Sequence, residues 1–160
     1  NNLLKNLGII DNIILAGYIA KTKTREEINQ KAENLMKKTG IFDLAHNDIT
    51  QVSGGQLQRA AICRALINDP VILFGDEPTG ALNSKAASNI MDILHSINEE
   101  GTTVMLVTHD IKVASQSERV IFMLDGVIKD DYKLSKFDRI NDDIKKRESE
   151  LSDWLLEMGF

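Results

Sequence analysis

The chain has 160 residues, the usual size of one domain, and a formal net charge of -5 at neutral pH. With 42% apolar and 27% charged residues it has ordinary globular composition, which excludes wholesale disorder. The acidic balance speaks against a nucleic-acid partner held by a basic surface. The single cysteine, Cys63, excludes an intrachain disulfide and fits a reducing cytosol. No apolar run reaches the roughly 18 residues of a membrane span. The start, Asn1-Asn2-Leu3-Leu4-Lys5, lacks an initiator Met and a signal-peptide pattern, as though the chain began inside something larger.

Helices are expected first. Ile9, Ile13, Ile14 and Ala20 lie near helical spacing. Thr24-Arg25-Glu26-Glu27 is a capping box, so a second helix starts near Thr24, with Ile28, Ala32, Leu35 and Met36 on its apolar face and a stop at Gly40. Ser53-Gly54-Gly55 opens a third helix rich in small residues, ended by Asn68-Asp69-Pro70. The pattern then changes. Val71-Ile72-Leu73-Phe74 is a continuous apolar run, read as a strand buried on both faces. Ser84 to Asn98 is an amphipathic helix, and Thr103 to Val107 a second buried strand. A short helix near Ile111 to Ser115 precedes a strand from Arg119 to Leu124. Asp125-Gly126 is a hairpin turn, with Val127-Ile128 the return strand. This alternation implies an α/β fold with a parallel sheet and helical crossovers. The charged tail carries Ile140, Ile144, Leu151, Leu155 and Met158 at helical spacing beside Trp154, a terminal amphipathic helix.

Four patterns carry chemistry. Ser53-Gly54-Gly55-Gln56 opens a helix, where a hydroxyl, amides and the helix dipole favour an anion; an ordinary N-cap reads the same residues. Asp76 and Glu77 follow the first buried strand, at the end where open α/β sheets bind ligands. This is a Walker B pattern, in which Asp76 would hold Mg²⁺ through water and Glu77 would polarise an attacking water. A solvated strand-end turn is the plainer alternative. Thr108-His109-Asp110 ends the second strand, and His109 there could bond a terminal phosphate, although a lone His is more often structural. His46 and His95 read as surface or helix-face residues. Ala81-Leu82-Asn83-Ser84 is, alone, a helix-capping turn.

Order and spacing join them: Ser53 precedes Asp76 by 23 residues, and Glu77 precedes His109 by 32. Val-Ser-Gly-Gly-Gln-Leu-Gln-Arg at 52–59, Asp-Glu-Pro-Thr at 76–79 and Thr-His-Asp at 108–110 resemble the ATP-binding-cassette (ABC) ATPases. More narrowly, Asp-Glu-Pro-Thr-Gly-Ala-Leu at 76–82 resembles the ATPase subunits of bacterial exporters of the macrolide, lipoprotein and antimicrobial-peptide group. Arg147-Glu148 and the ending from Trp154 to Phe160 look similar to the ends of such subunits. The resemblance implies a P-loop NTPase-like core with an ABC helical subdomain: a helical subdomain and signature helix over 1–68, the Walker B and H-loop part over 69–134, and a terminal helix over 135–160.

It also implies roles. Ser53, Gly54, Gly55 and Gln56 would be the signature motif, touching ATP on an opposite ATPase domain, with Val52 where Leu is commonest. Asp76 and Glu77 would be the Walker B acid and the catalytic Glu, His109 the switch histidine, and Ala81 to Ser84 the D-loop, with Asn83 in place of the usual Asp. ATP and Mg²⁺ would be the cofactors. A membrane permease and a second cassette in a head-to-tail dimer would be the partners, at the inner face of the cell membrane. The implied function is ATP hydrolysis powering export, with the substrate set by the permease.

No Gly-x-x-x-x-Gly-Lys-[Ser/Thr] occurs in the chain. That loop cradles nucleotide phosphates, so the chain is expected to be the C-terminal part of a cassette and inactive by itself. Leu3-Leu4, with Asn2, resembles the stretch after the Q-loop glutamine. A non-catalytic interaction fragment and a soluble ABC protein of translation or repair remain alternatives.

Overall fold

Ile9–Ala20 forms α1 and Arg25–Lys38 forms α2 in a computed structural model that describes residues 3–141 and 143–159. The Asn1-Asn2 start and the terminal Phe160 therefore lie outside the described residues. At α2 the predicted capping box is formed: Glu27 N donates to Thr24 Oγ1 at 3.3 Å, and Thr24 N donates to Glu27 Oε2 at 2.7 Å. Gly54–Leu66 is α3. The three helices pack around Ile9, Ile13, Ile28, Ala32, Met36 and Cys63, all buried. Two lysines from separate places, Lys23 and Lys31, bond the carboxylate of Asp69 just past α3. Their bonds hold that carboxyl below its ordinary range. The carboxylate is mostly exposed, so solvent screens the pair and its worth is small.

Cys63 sits inside this core with its Sγ 3.2 Å from Thr39 Oγ1, and burial pushes its thiol up to about 11. The thiolate is the reactive species, so an alkylating reagent at neutral pH is expected to leave Cys63 intact until the core opens. Mass spectrometry of native against urea-treated chain checks this, and rapid labelling under native conditions would contradict the packing.

The residues to Val107 form one compact unit and those from Thr108 onward a second. In the first, β1 (Ile72–Asp76), α4 (Ser84–Glu99) and β2 (Thr103–Val107) follow α3. The two strands pair in parallel, Ile72 against Thr103 through to Asp76 against Val107. This is the strand–helix–strand unit the sequence predicts. Expectation and structure part over burial. Side chains alternate along a strand, so Leu73 and Leu106 face one side and Ile72, Phe74, Met105 and Val107 the other. The first side is covered, with Leu73 buried and α4 packed against β2. The second is open: Phe74 is 71% and Val107 61% exposed. An apolar run shows what a strand is able to bury, not what lies over it.

The second unit holds α5 (Ile111–Ala114), β3 (Arg119–Leu124), β4 (Val127–Lys133) and α6 (Ile144–Glu157). β3 pairs antiparallel with β4 across Asp125 (φ 52°) and Gly126 (φ 75°), the mirror-image turn that suits a hairpin. β4 runs further than the predicted Val127-Ile128. Backbone pairing carries its polar stretch, helped by Arg119, whose Nε and Nη2 reach the Asp131 carboxylate at 2.9 and 2.6 Å. The predicted tail helix is present but starts later. Asp143 accepts from Lys145 N at 3.0 Å and Lys146 N at 3.3 Å, fixing the helix start and leaving Ile140 outside it, 91% exposed. Leu151 and Trp154 are buried. Trp154 packs edge-on to Phe122 and 5.2 Å from Tyr132, and its Nε1 donates to Asp130 Oδ2 at 2.9 Å. Among the described residues no helix is long and apolar enough to cross a membrane.

Candidate functional site

Ser53 is the N-cap of α3. Gln56 N donates to its Oγ at 3.4 Å, and Ser53 N donates to Gln56 Oε1 at 2.7 Å. This second capping box fixes where the helix begins. It leaves Gly54 and Gly55 at the first two helical positions, whose amides have no carbonyl within the helix to bond. Ser53 and Gly54 are exposed. The arrangement presents a hydroxyl and backbone N–H groups at the positive end of a 13-residue helix, a setting suited to an anion.

Ala81-Leu82-Asn83-Ser84 lies against that start. A Cβ placed on Gly54 would sit 3.7 Å from Leu82 Cδ2, and one on Gly55 3.4 Å from Ala86 Cβ. Leu82 N donates to Thr79 O at 3.0 Å, closing the turn. Asn83 caps α4, its Oδ1 accepting from Ala86 N at 2.9 Å. A cap of this kind contributes about 1 kcal/mol, and Asn supplies the acceptor without needing a charge. Two helix starts, those of α3 and α4, are thus brought together.

Asp76 ends β1, exposed, in register with Val107. Glu77 N donates to Val107 O at 2.9 Å, one bond past the strand. The backbone then turns sharply. Glu77 has φ 44°, a left-handed conformation uncommon outside Gly, Asn and Asp, and Gly80 N returns to Glu77 O at 3.3 Å. Strained backbone at a strand end is where functional side chains often sit. A Cβ on Gly80 would lie 3.5 Å from Glu77 Oε2, so the carboxylate rests over that glycine. Gly75 was passed over in the sequence reading, yet a Cβ there would come within 2.8 Å of Leu106 Cδ2. Any larger residue there would push the Leu106 side chain aside. A glycine directly before two acids was the available signal.

His109 belongs to the second unit and is exposed. Asp110 N donates to Thr108 Oγ1 at 3.0 Å, and Asp110 Oδ1 accepts from Lys112 N at 2.8 Å, which starts α5. His46 is exposed and His95 half-buried on α4. Asn12 was also missed: a polar residue between Ile9 and Ile13 on the apolar face of α1, it is 1% exposed and bonds the loop before its own helix. Polarity on an otherwise apolar helix stripe was its signal.

Residues 1–80, half of the chain, match the sequence profile of the family described as ABC transporter. The chain belongs to the ABC transporter family. Its relatives include macrolide export ATP-binding/permease protein MacB of Bdellovibrio bacteriovorus, 47% identical over 65% of this chain and 16% of that protein. MacB of Psychrobacter cryohalolentis is 41% identical over 86% of this chain and 21% of its own length. The chain therefore spans about a fifth of such curated relatives. A solved dimeric ATP-binding cassette in a post-hydrolysis state, bound to ADP and Pi, matches 85% of this ABC chain and 60% of its own at 39% identity, with a TM-score of 0.73. The P-loop NTPase-like fold class and the ABC helical subdomain expected from the sequence agree with these likenesses.

Proposed function

We propose that this ABC chain supplies the signature, Walker B, D-loop and switch elements of a cassette that hydrolyses ATP to drive a MacB-like exporter. The observation that carries the reading is the joining of the α3 start with the turn from Ala81 to Ser84, in the unit that also holds Asp76 and Glu77 at the end of a parallel strand. Ser53 with the Gly54 and Gly55 amides would bind the terminal phosphate of a nucleotide held by a second cassette. Gln56 sets that helix start through its capping bond. Asp76 fits Mg²⁺ by its donor chemistry: one exposed hard carboxylate at a strand end, suited to an ion that keeps most of its water. Bound there, the ion would neutralise charge on the phosphates. Glu77 would take a proton from the attacking water, and His109 would hydrogen-bond the terminal phosphate. The leading part, 1–68, would face a permease, and 69–134 would carry the chemistry, with 135–160 as the closing helix. The site of action would be the inner face of the cell membrane.

The test is a hybrid cassette in which this sequence replaces the matching segment of the solved dimeric cassette. It is expected to hydrolyse ATP, and Glu77→Gln to lower turnover by about a hundredfold or more, as loss of a positioned base does. A folded hybrid whose turnover ignores Glu77 would refute the reading. The chain alone lacks a phosphate-cradling loop and is expected to show no Glu77-dependent phosphate release.

A further inference from the structure

Arg147 is a charged side chain only 5% exposed. Its guanidinium donates to backbone and hydroxyl oxygens of distant residues. Nε donates to Ser115 O at 2.6 Å, Nη2 to Ser117 O at 2.9 Å and Ser135 O at 3.1 Å, and Nη1 to Ser135 Oγ at 3.0 Å. Its plane also lies over the Phe137 ring, 5.3 Å from the centroid. Ser115 is the C-cap of α5, fully buried, and α5 packs against α6. Lys112 O and Ala114 O, near the end of α5, accept from Ser115 Oγ and Ser117 Oγ, and the arginine fork takes the next carbonyls, Ser115 O and Ser117 O, just past the helix.

The other end of α5 is His109. Only Asp110, the N-cap, separates them. A four-residue helix has too few internal bonds to hold its own direction. Its orientation, and with it the bearing of the segment from Thr108 to Asp110, must come from what grips it. Arg147 grips it at Ser115 and Ser117. α6 is itself seated by buried Leu151 and by Trp154 on Asp130, so the grip has a fixed base.

We propose that Arg147 is a positioning residue for His109, acting through α5, and that the terminal helix serves to hold it. This rests on the reading of His109 as the switch histidine, but its test needs no nucleotide. A lysine would keep the charge without the fork, and a methionine would keep the apolar stem alone.

The experiment follows the whole 160-residue chain by NMR, reading the His109 ring signals and the amide exchange of residues 111–116. The emission of Trp154, the sole tryptophan, reports whether α6 stays seated. In Arg147→Met, with α6 seated, exchange at 111–116 is expected to rise about tenfold or more and the His109 signals to move, as befits loss of charged hydrogen bonds. Arg147→Lys is expected to recover part of both. Unchanged His109 signals and exchange would overturn the proposal. If Arg147→Met also unseats α6, Leu151→Ala loosens the same helix while keeping the guanidinium. The proposal then stands only if α5 opens further in Arg147→Met than in Leu151→Ala. Failure of the ATPase reading would leave these signals untouched, so the two fail separately.

Discussion

Asn12→Asp is expected to destabilise the chain more than Asn12→Ala, although aspartate is the closer match in shape. Asn12 Oδ1 accepts from Leu4 N at 2.7 Å, while Nδ2 donates to Leu4 O, Leu7 O and Gly8 O at 3.1, 3.1 and 3.0 Å. Gly8, the N-cap of α1, offers no side chain, and Asn12 instead ties the loop before the helix to its first turn. The same stretch is stitched to the segment before α3: Ile9 N donates to Asn47 O and Ile10 N to Ala45 O, both at 3.0 Å. Alanine removes both roles and strands backbone groups, a cost of about 2 kcal/mol. Aspartate keeps one acceptor but turns a carboxylate toward three carbonyl oxygens in a site closed to water, about 3–5 kcal/mol. Urea unfolding of the three chains at neutral pH measures the order. Aspartate equal to or milder than alanine would mean that the loop moves away from residue 12.

Local signals in this sequence were read well because they act over a few residues. Thr24 with Glu27 and Ser53 with Gln56 are capping pairs three apart, and both are made. Asp125-Gly126 marks a turn by backbone preference alone, and the turn is there. The acids after an apolar strand and the glycines at a helix start are likewise contiguous, so the candidate site was visible before its geometry. What failed was what depends on distant chain. Phe74 and Leu73 are equally apolar, and only what packs on one side of the sheet separates exposed from buried. Arg147 looks like one more charge in a charged tail, since Ser115, Ser117 and Ser135, whose oxygens it bonds, lie 12 to 32 residues away. Ile140 fitted a helical spacing, but Asp143 set the start of the helix four residues before Arg147.

Raising the concentration of the isolated chain is expected to drive self-association through the open side of β1 and β2, and Phe74→Lys to weaken it about tenfold or more. Parallel sheets are found with both faces covered, and this pair has one side bare. Ile72, Phe74, Met105 and Val107 form a contiguous apolar surface there, with Phe74 directly opposite Met105 in the register. Contiguous exposed apolar residues are where chains come into contact. A stable interface needs about 800 Å² from each side, more than these four side chains offer, so the association should be weak and concentration-dependent. Burying one phenylalanine is worth about 1.5–3 kcal/mol, which sets the size of the Phe74→Lys effect. Because Phe74 is mostly exposed in the single chain, the substitution should leave the unfolding midpoint of dilute protein nearly unchanged. Light scattering across a dilution series gives the first quantity and thermal unfolding the second. A chain that stays monomeric at every concentration would show that this face is tolerated by water. An association indifferent to Phe74 would place the contact elsewhere, with the exposed Met123, Val127 and Ile128 at the hairpin tip as the next surface to change.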